Sequence, residues 1–199
     1  AKRKKIICFS TPFDETAVEL LEKLNTPMYK ISSFEMTDIP LIKKIAKTKK
    51  PIIMSTGLSN LDEIELSFKT AKKFGCKDIT LLYCVSAYPA KESDINLNNI
   101  NILKKKFSCR VGFSDHTIGI NVPLLAVKHG AVILEKHFTL NKEMEGPDHL
   151  VSASPSELKD MISKIRTRKF PKDDVVILGS GEKKPNQNIN IKNPHTTSY

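Results

Sequence analysis

The sequence predicts an α/β fold of the TIM-type (β/α) barrel class, incomplete, with about six of the eight βα units present. Three observations predict it. Short β-type runs alternate with amphipathic helical runs along most of the chain. The strand runs are continuously apolar rather than alternating, which suits a parallel sheet covered on both faces. Polar residues gather where each strand ends: Thr11, Ser32 and Ser33, Ser55 and Thr56, Ser86, Ser114 to His116, and His137. A barrel collects all its strand ends into one site, whereas an open doubly wound sheet uses mainly the point where its strand order reverses. No GxGxxG follows the first strand, so nothing supports a dinucleotide-binding sheet.

Taken in order, Ile6 to Ser10 reads as the first strand, followed by a helix over Glu15 to Leu24 with Asp14 as N-cap. Met28 to Ser32 is the second strand, and Thr37 and Asp38 open a helix over Ile39 to Ala46. Pro51 to Ser55 is the third strand, and the helix Leu61 to Phe74 is closed by Gly75. Asp78 to Cys84 leads into a helix from about Leu97 to Phe107, and Cys109 to Ser114 into a helix over Val122 to Lys128 that ends at Gly130. Ala131 to His137 is the sixth strand, and Ser156 to Arg166 the last clear helix. Residues 1–170 therefore read as the partial barrel. In the remainder, 171–199, a short strand is expected over Asp173 to Leu178. The turn-forming Gly179 to Pro185 and an Asn-rich polar stretch then read as a linker-like tail.

At 199 residues, 40% apolar and 27% charged, the composition is that of a globular domain. No apolar run approaches the roughly 18 residues of a membrane span, and Ile6 to Phe9 is too short for a signal-peptide core, so a cytoplasmic protein is expected. The net charge of +10 is scattered over helix-like polar faces, with no Trp and no aromatic RNA-binding signature. No nucleic acid is expected as a partner, and an anionic small molecule explains part of the excess. Cys8, Cys76, Cys84 and Cys109 form no CxxC pair, which argues against disulfides and zinc fingers.

Gly112-Phe113-Ser114-Asp115-His116-Thr117 and Glu135-Lys136-His137-Phe138-Thr139 place a histidine at the end of each of two consecutive strands. Neighbouring strands lie about 5 Å apart, so the imidazoles can meet at the barrel mouth and suit Mn²⁺, Zn²⁺ or Fe²⁺, or simply close their strands as polar residues. Period-two alternation puts Glu135 on the side of His137, where it could orient that ligand. A second constellation seeks anions: Lys30, with the hydroxyls of Thr11, Ser55, Ser86 and Ser114. A Lys in a buried strand needs an anionic partner or a solvated cavity; the competing reading is a snorkelling Lys beside helix-capping serines. Gly146-Pro147-Asp148-His149 lies in a long loop, where a solvated turn competes with a polyol contact from Asp148.

Together with Ser10 to Asp14, Tyr29 to Glu35, Ser55-Thr56-Gly57 and Cys84 to Ala90, these pieces follow the order and spacing of the sialic acid synthase family, which the chain resembles from about residue 6 to 168. Its members are the N-acetylneuraminate, legionaminate and pseudaminate synthases. The resemblance implies condensation of phosphoenolpyruvate with an N-acylated amino sugar (N-acetylmannosamine-like), with release of phosphate. It implies a divalent metal, commonly Mn²⁺, on His116 and His137, and Lys30 joining them as a catalytic residue. Thr11, Lys30, Ser33, Ser55, Ser86 and Ser114 would hold phosphoenolpyruvate, and Glu35, Tyr88 and Asp148 would face the sugar. Many synthases of the neuraminate kind carry Asn where Ser86 stands. Full-length members are expected to be homodimers.

Ile6 to Ser10 aligns with the family's third barrel strand, so the first two βα units, with a Glu, a second Lys and a Gln of the family's site, have no counterpart here. Nor does the C-terminal antifreeze-like domain, which supplies an Arg to the partner subunit. Two alternatives stand beside a synthase: a non-catalytic truncated remnant of one, or a basic binding module. Tyr29 to Glu35 resembles pseudaminate synthases and Gly146 to His149 neuraminate and legionaminate synthases, so the sugar stays open.

Overall fold

In the computed structural model, which describes residues 1–167 and 176–180, six helices and six parallel strands alternate. They are α1 (Glu15–Lys23), β1 (Tyr29–Ile31), α2 (Ile39–Lys47), β2 (Ile52–Ser55), α3 (Leu61–Lys73), β3 (Ile79–Cys84), α4 (Asn98–Phe107), β4 (Arg110–Asp115), α5 (Asn121–Lys128), β5 (Ile133–His137), α6 (Pro155–Thr167) and β6 (Val176–Ser180).

Local signals set the boundaries. Asp14 accepts the Ala17 N–H at 2.7 Å and starts α1. Asn60 and Glu63 form a reciprocal capping box at the head of α3. Gly75, at φ +113°, turns the chain out of α3 where a side chain would be strained.

The strands pair in chain order, β1 to β6, each parallel to the next. A doubly wound sheet reverses its order to place helices on both faces, and this one never reverses. Right-handed crossovers then carry all the helices to one side, and the other face must curl on itself. Lys30 on β1 lies 3.5 Å from Glu135 on β5, although four strand spacings in a flat sheet span about 19 Å. Phe9 before β1 and Leu178 on β6 also pack on one inner cluster of Ile53, Leu82 and Ile133. The structure is thus an incomplete TIM-type barrel, as expected.

Alternation divides the core in two. Outward residues such as Ile31, Met54, Leu81, Phe113 and Leu134 pack under the helices in one large cluster. Inward residues are apolar at the base, Ile53, Leu82 and Ile133, and polar toward the C-terminal ends, Lys30, Ser55, Ser114 and Glu135. Gly112 keeps the base narrow, because a Cβ there would stand 2.6 Å from Leu82 Cδ2.

Two expectations need correction. Ile6 to Ser10 is not a strand: Ile6 and Ile7 are 65% and 67% exposed, and only Ser10 bridges to Tyr29. Among the described residues no strand lies beyond this segment to pair its far side, so the apolar run has no partner to extend against. Conversely, the short strand expected over 173–178 is found at Val176–Ser180, in register with β5 from Ile133↔Val176 to His137↔Ser180. The rest of the expected tail lies outside the described residues.

Among the described residues no helix is long and apolar enough to cross a membrane. Several surface lysines are engaged. Lys44 meets Glu19 at 2.8 Å, Lys106 meets Glu65 at 2.8 Å, and Lys43 and Lys47 sit over the Phe74 ring.

Candidate active site

The inward residues at the C-terminal ends of the strands enclose a cavity of about 210 Å³. Lys30 and Ser55 come from β1 and β2, Ser114 from β4, and Glu135 and His137 from β5; Thr11, Ser33, Ser86, Tyr88 and His116 come from the adjoining loops. Nine of the eleven residues that the family resemblance assigns to a site therefore share one cavity. Ser32, Phe34, Cys84 and Glu135 line it as well.

His116 follows β4 directly. Its Nδ1 lies 2.9 Å from the Val85 carbonyl, which makes Nδ1 the protonated nitrogen and leaves the Nε2 lone pair available. His137 closes β5, and its Nδ1 lies 3.4 Å from Asp148 Oδ2. The ring centroids are 5.4 Å apart, and the Tyr88 ring packs against both, at 4.2 and 5.6 Å. Burial is the largest influence on both imidazoles and holds each below the ordinary value of 6.5; Asp148 and Glu135 pull His137 partly back. Neutral rings with occupied Nδ1 atoms are what a metal ligand pair requires. Among the described residues no group of three or more His, Cys, Asp or Glu is placed to hold an ion. Two imidazoles of this kind are a donor set that suits a divalent cation.

Lys30, 7% exposed, donates to Ser55 Oγ at 2.7 Å and to the Ile31 carbonyl at 3.3 Å. Glu135 was expected to orient His137. Its carboxylate instead accepts from Ser114 Oγ at 2.7 Å and faces Lys30, because the curl brings β1 against β5. Asp148 takes the orienting place. The Ala153 N–H donates to the His137 carbonyl at 2.7 Å, and Ser152 bonds back to the Asp148 carbonyl, so the loop is folded over His137. Glu35 is buried and bonded to Ser32 Oγ; neither it nor Asp148 lines the cavity itself. Cys84 contacts Ser86 Oγ at 3.7 Å and Ser33 Oγ at 3.9 Å, and burial pushes its thiol up, so it stays protonated.

Gly57 sits where a side chain has no room. A Cβ would stand 2.9 Å from Cys84 Sγ and 3.0 Å from Ser33 Oγ, with Ser86 Oγ nearer still, while the Gly57 N–H donates to Ser33 Oγ at 3.1 Å. Gly57→Ala is therefore expected to cost about 1–3 kcal/mol by overpacking as the serines are displaced. Thermal melts of the variant against the parent check the loss.

Comparison with known proteins places this geometry in context. A sequence model of the NeuB family matches residues 1–174. The chain is 46% identical over 193 residues to an N,N'-diacetyllegionaminic acid synthase of Campylobacter jejuni, covering 96% of this chain and 57% of that protein. It is 43% identical over 188 residues to a pseudaminic acid synthase of Helicobacter pylori, covering 94% and 53%. The crystal structure of the N-acetylneuraminic acid synthetase of Leptospira borgpetersenii superposes with a TM-score of 0.79 at 36% identity, over 86% of this chain and 62% of that one. The chain thus spans little more than half the length of these two relatives.

Proposed function

Because the chain belongs to the NeuB family, we propose that its cavity binds phosphoenolpyruvate beside a divalent metal, most simply Mn²⁺, in a nonulosonic acid synthase that condenses phosphoenolpyruvate with an N-acylated amino sugar. The observation that carries this reading is the pair of imidazoles 5.4 Å apart at the mouth of a cavity floored by Lys30 and serine hydroxyls. In the reaction, C3 of phosphoenolpyruvate bonds to the sugar's aldehyde carbon, water adds at C2, and phosphate leaves C2 by C–O cleavage. A cation on the two rings would supply Lewis-acid polarisation of the aldehyde oxygen.

The chain's own residues do the rest. Lys30 holds an anionic group of phosphoenolpyruvate, and the hydroxyls of Thr11, Ser33, Ser55 and Ser86 are placed to donate to its oxygens, while Ser114, whose hydroxyl proton goes to Glu135, lines the same cavity. Glu135, by accepting from Ser114 and facing Lys30, fixes both before substrate arrives. Asp148 and the Val85 carbonyl keep both Nδ1 atoms occupied, and the Tyr88 ring excludes water from one side of the imidazoles. The cavity's volume of about 210 Å³ suits a three-carbon phosphate and leaves the sugar to the open side, near Phe34 and Tyr88. Glu35, Tyr88 and Asp148 are the residues proposed to face it.

The test is direct. The chain is incubated with phosphoenolpyruvate, Mn²⁺ and N-acetylmannosamine or a diacetylated amino sugar, while phosphate release and phosphoenolpyruvate binding are followed. Stoichiometric phosphate with a new C–C-bonded acid supports the synthase. Binding without turnover supports the non-catalytic remnant. Neither binding nor turnover overturns the reading.

A further inference from the structure

We propose that the buried Asp115–Lys136 ion pair is the positioning device for His116 and His137, acting on them from the outer face of the sheet. What the rings are positioned for rests on the metal-site reading above; the positioning itself does not.

Asp115 and Lys136 immediately precede the two histidines, and alternation turns the members of each dipeptide to opposite faces. The imidazoles face the cavity, while the Asp115 and Lys136 side chains, 0% and 2% exposed, meet at 2.5 Å behind it. Asp115↔Lys136 is also the last register pair of the β4–β5 ladder. Beyond it main-chain pairing between these strands stops, yet His116 and the ring of His137 depend on the strand ends staying in step.

The ion pair extends the tie past that point. Asp115 Oδ2 takes Lys136 Nζ, and Oδ1 accepts from the Thr117 N–H at 3.0 Å and the Thr117 hydroxyl at 2.8 Å. Lys136 Nζ also donates to the Thr117 carbonyl at 2.8 Å. Residue 116 is thereby bracketed by a side chain on one side and a fully bonded, fully buried Thr117 on the other. Its own carbonyl accepts from the Ala90 N–H at 3.0 Å. Rotation of the His116 backbone would break several of these bonds at once.

Two apolar side chains could fill the same space without the desolvation that a buried ion pair incurs. They could not hold the N–H, hydroxyl and carbonyl of Thr117, which would be left buried and unbonded. The charges therefore serve placement rather than packing.

The experiment uses the full chain, labelled with ¹⁵N-histidine, as parent, as Asp115→Asn/Lys136→Met and as Thr117→Val. Removing both charges together avoids an orphaned buried ion. Ring ¹H–¹⁵N spectra, taken without metal and above the usual imidazole range, report tautomer and order, with exposed His129 as reference; Mn²⁺ affinity is measured separately by electron paramagnetic resonance. The parent should show His116 as a single Nδ1–H tautomer. In the folded double variant the His116 and His137 signals should average or broaden while His129 is unchanged, and Mn²⁺ affinity should fall about 10- to 100-fold. Unchanged ring signals in the folded double variant overturn the proposal. Should that variant not fold, unchanged His116 signals in Thr117→Val overturn it. Perturbed rings in a protein whose parent binds no Mn²⁺ leave the positioning standing and remove the metal site.

Discussion

Lys136→Met alone is expected to destabilise the fold by about 3–5 kcal/mol, the largest stability effect of any single change at the site. For a chain of this size that is a fall in Tm of about 6–20 °C. The methionine fills much the same volume, so the loss is not one of packing. It comes from the Asp115 carboxyl, which would be left inaccessible to water with no cation beside it, and from the Thr117 carbonyl, which loses its donor. Adding Asp115→Asn should recover much of the loss, because the orphaned charge disappears while the Asn oxygen still accepts from Thr117. A double-mutant cycle in chemical denaturant checks this. Additive losses from the two changes would mean that the charges do not act as a pair.

The fold was legible because its signals are local and repeated. Apolar runs of strand length, helix caps at Asp14 and Asp38, and a glycine exit at Gly75 each act within a few residues, and each appears where the pattern puts it. The two misplacements share a different cause. Ile6 to Ser10 and Val176–Ser180 are both short and apolar, and whether such a run becomes a strand depends on having a neighbour to pair with. β6 finds β5 along five register pairs, whereas the first segment makes one bridge. Gly179 and Ser180 read as turn residues in sequence, yet they continue the ladder to His137.

At the site, the residue types and the face they occupy were readable, while their partners were not. Alternation correctly sent Glu135 inward, but its capture by Ser114 and Lys30 follows from the curl that joins β1 to β5. Asp148 reaches His137 through a loop whose path is set by Ala153 and Ser152, and no spacing rule encodes that. Asp115 and Lys136 did carry a signal: Lys136 is a charge inside a strand expected to be buried on both faces and Asp115 lies one residue past the end expected for its neighbour, each one residue from a histidine, with alternation turning it to the helix side. Two opposite charges at matching positions of consecutive strands amount to a buried pair.

Lys30→Met is expected to weaken phosphoenolpyruvate binding about 30- to 1,000-fold, that is by about 2–4 kcal/mol, with turnover lost in proportion. Lys30 is the cationic side chain that lines the cavity, and its ammonium is held by Ser55 and the Ile31 carbonyl before any ligand arrives. No hydroxyl can replace that charge toward a phosphate or carboxylate. The variant also leaves Glu135 without its counter-charge in a site proposed to accept an anion, so part of the expected loss is repulsion. Lys30→Met/Glu135→Gln separates the two effects. The second change should restore the melting temperature and a minor share of the affinity, because it removes the repulsion without returning the cation. Calorimetric titration with phosphoenolpyruvate, alongside melts of all three proteins, reads both quantities. If Lys30→Met binds phosphoenolpyruvate as the parent does, the anion sits elsewhere and the cavity belongs to a different ligand. If the double variant binds as well as the parent, Glu135 governs anion entry, and Lys30 serves chiefly to neutralise it.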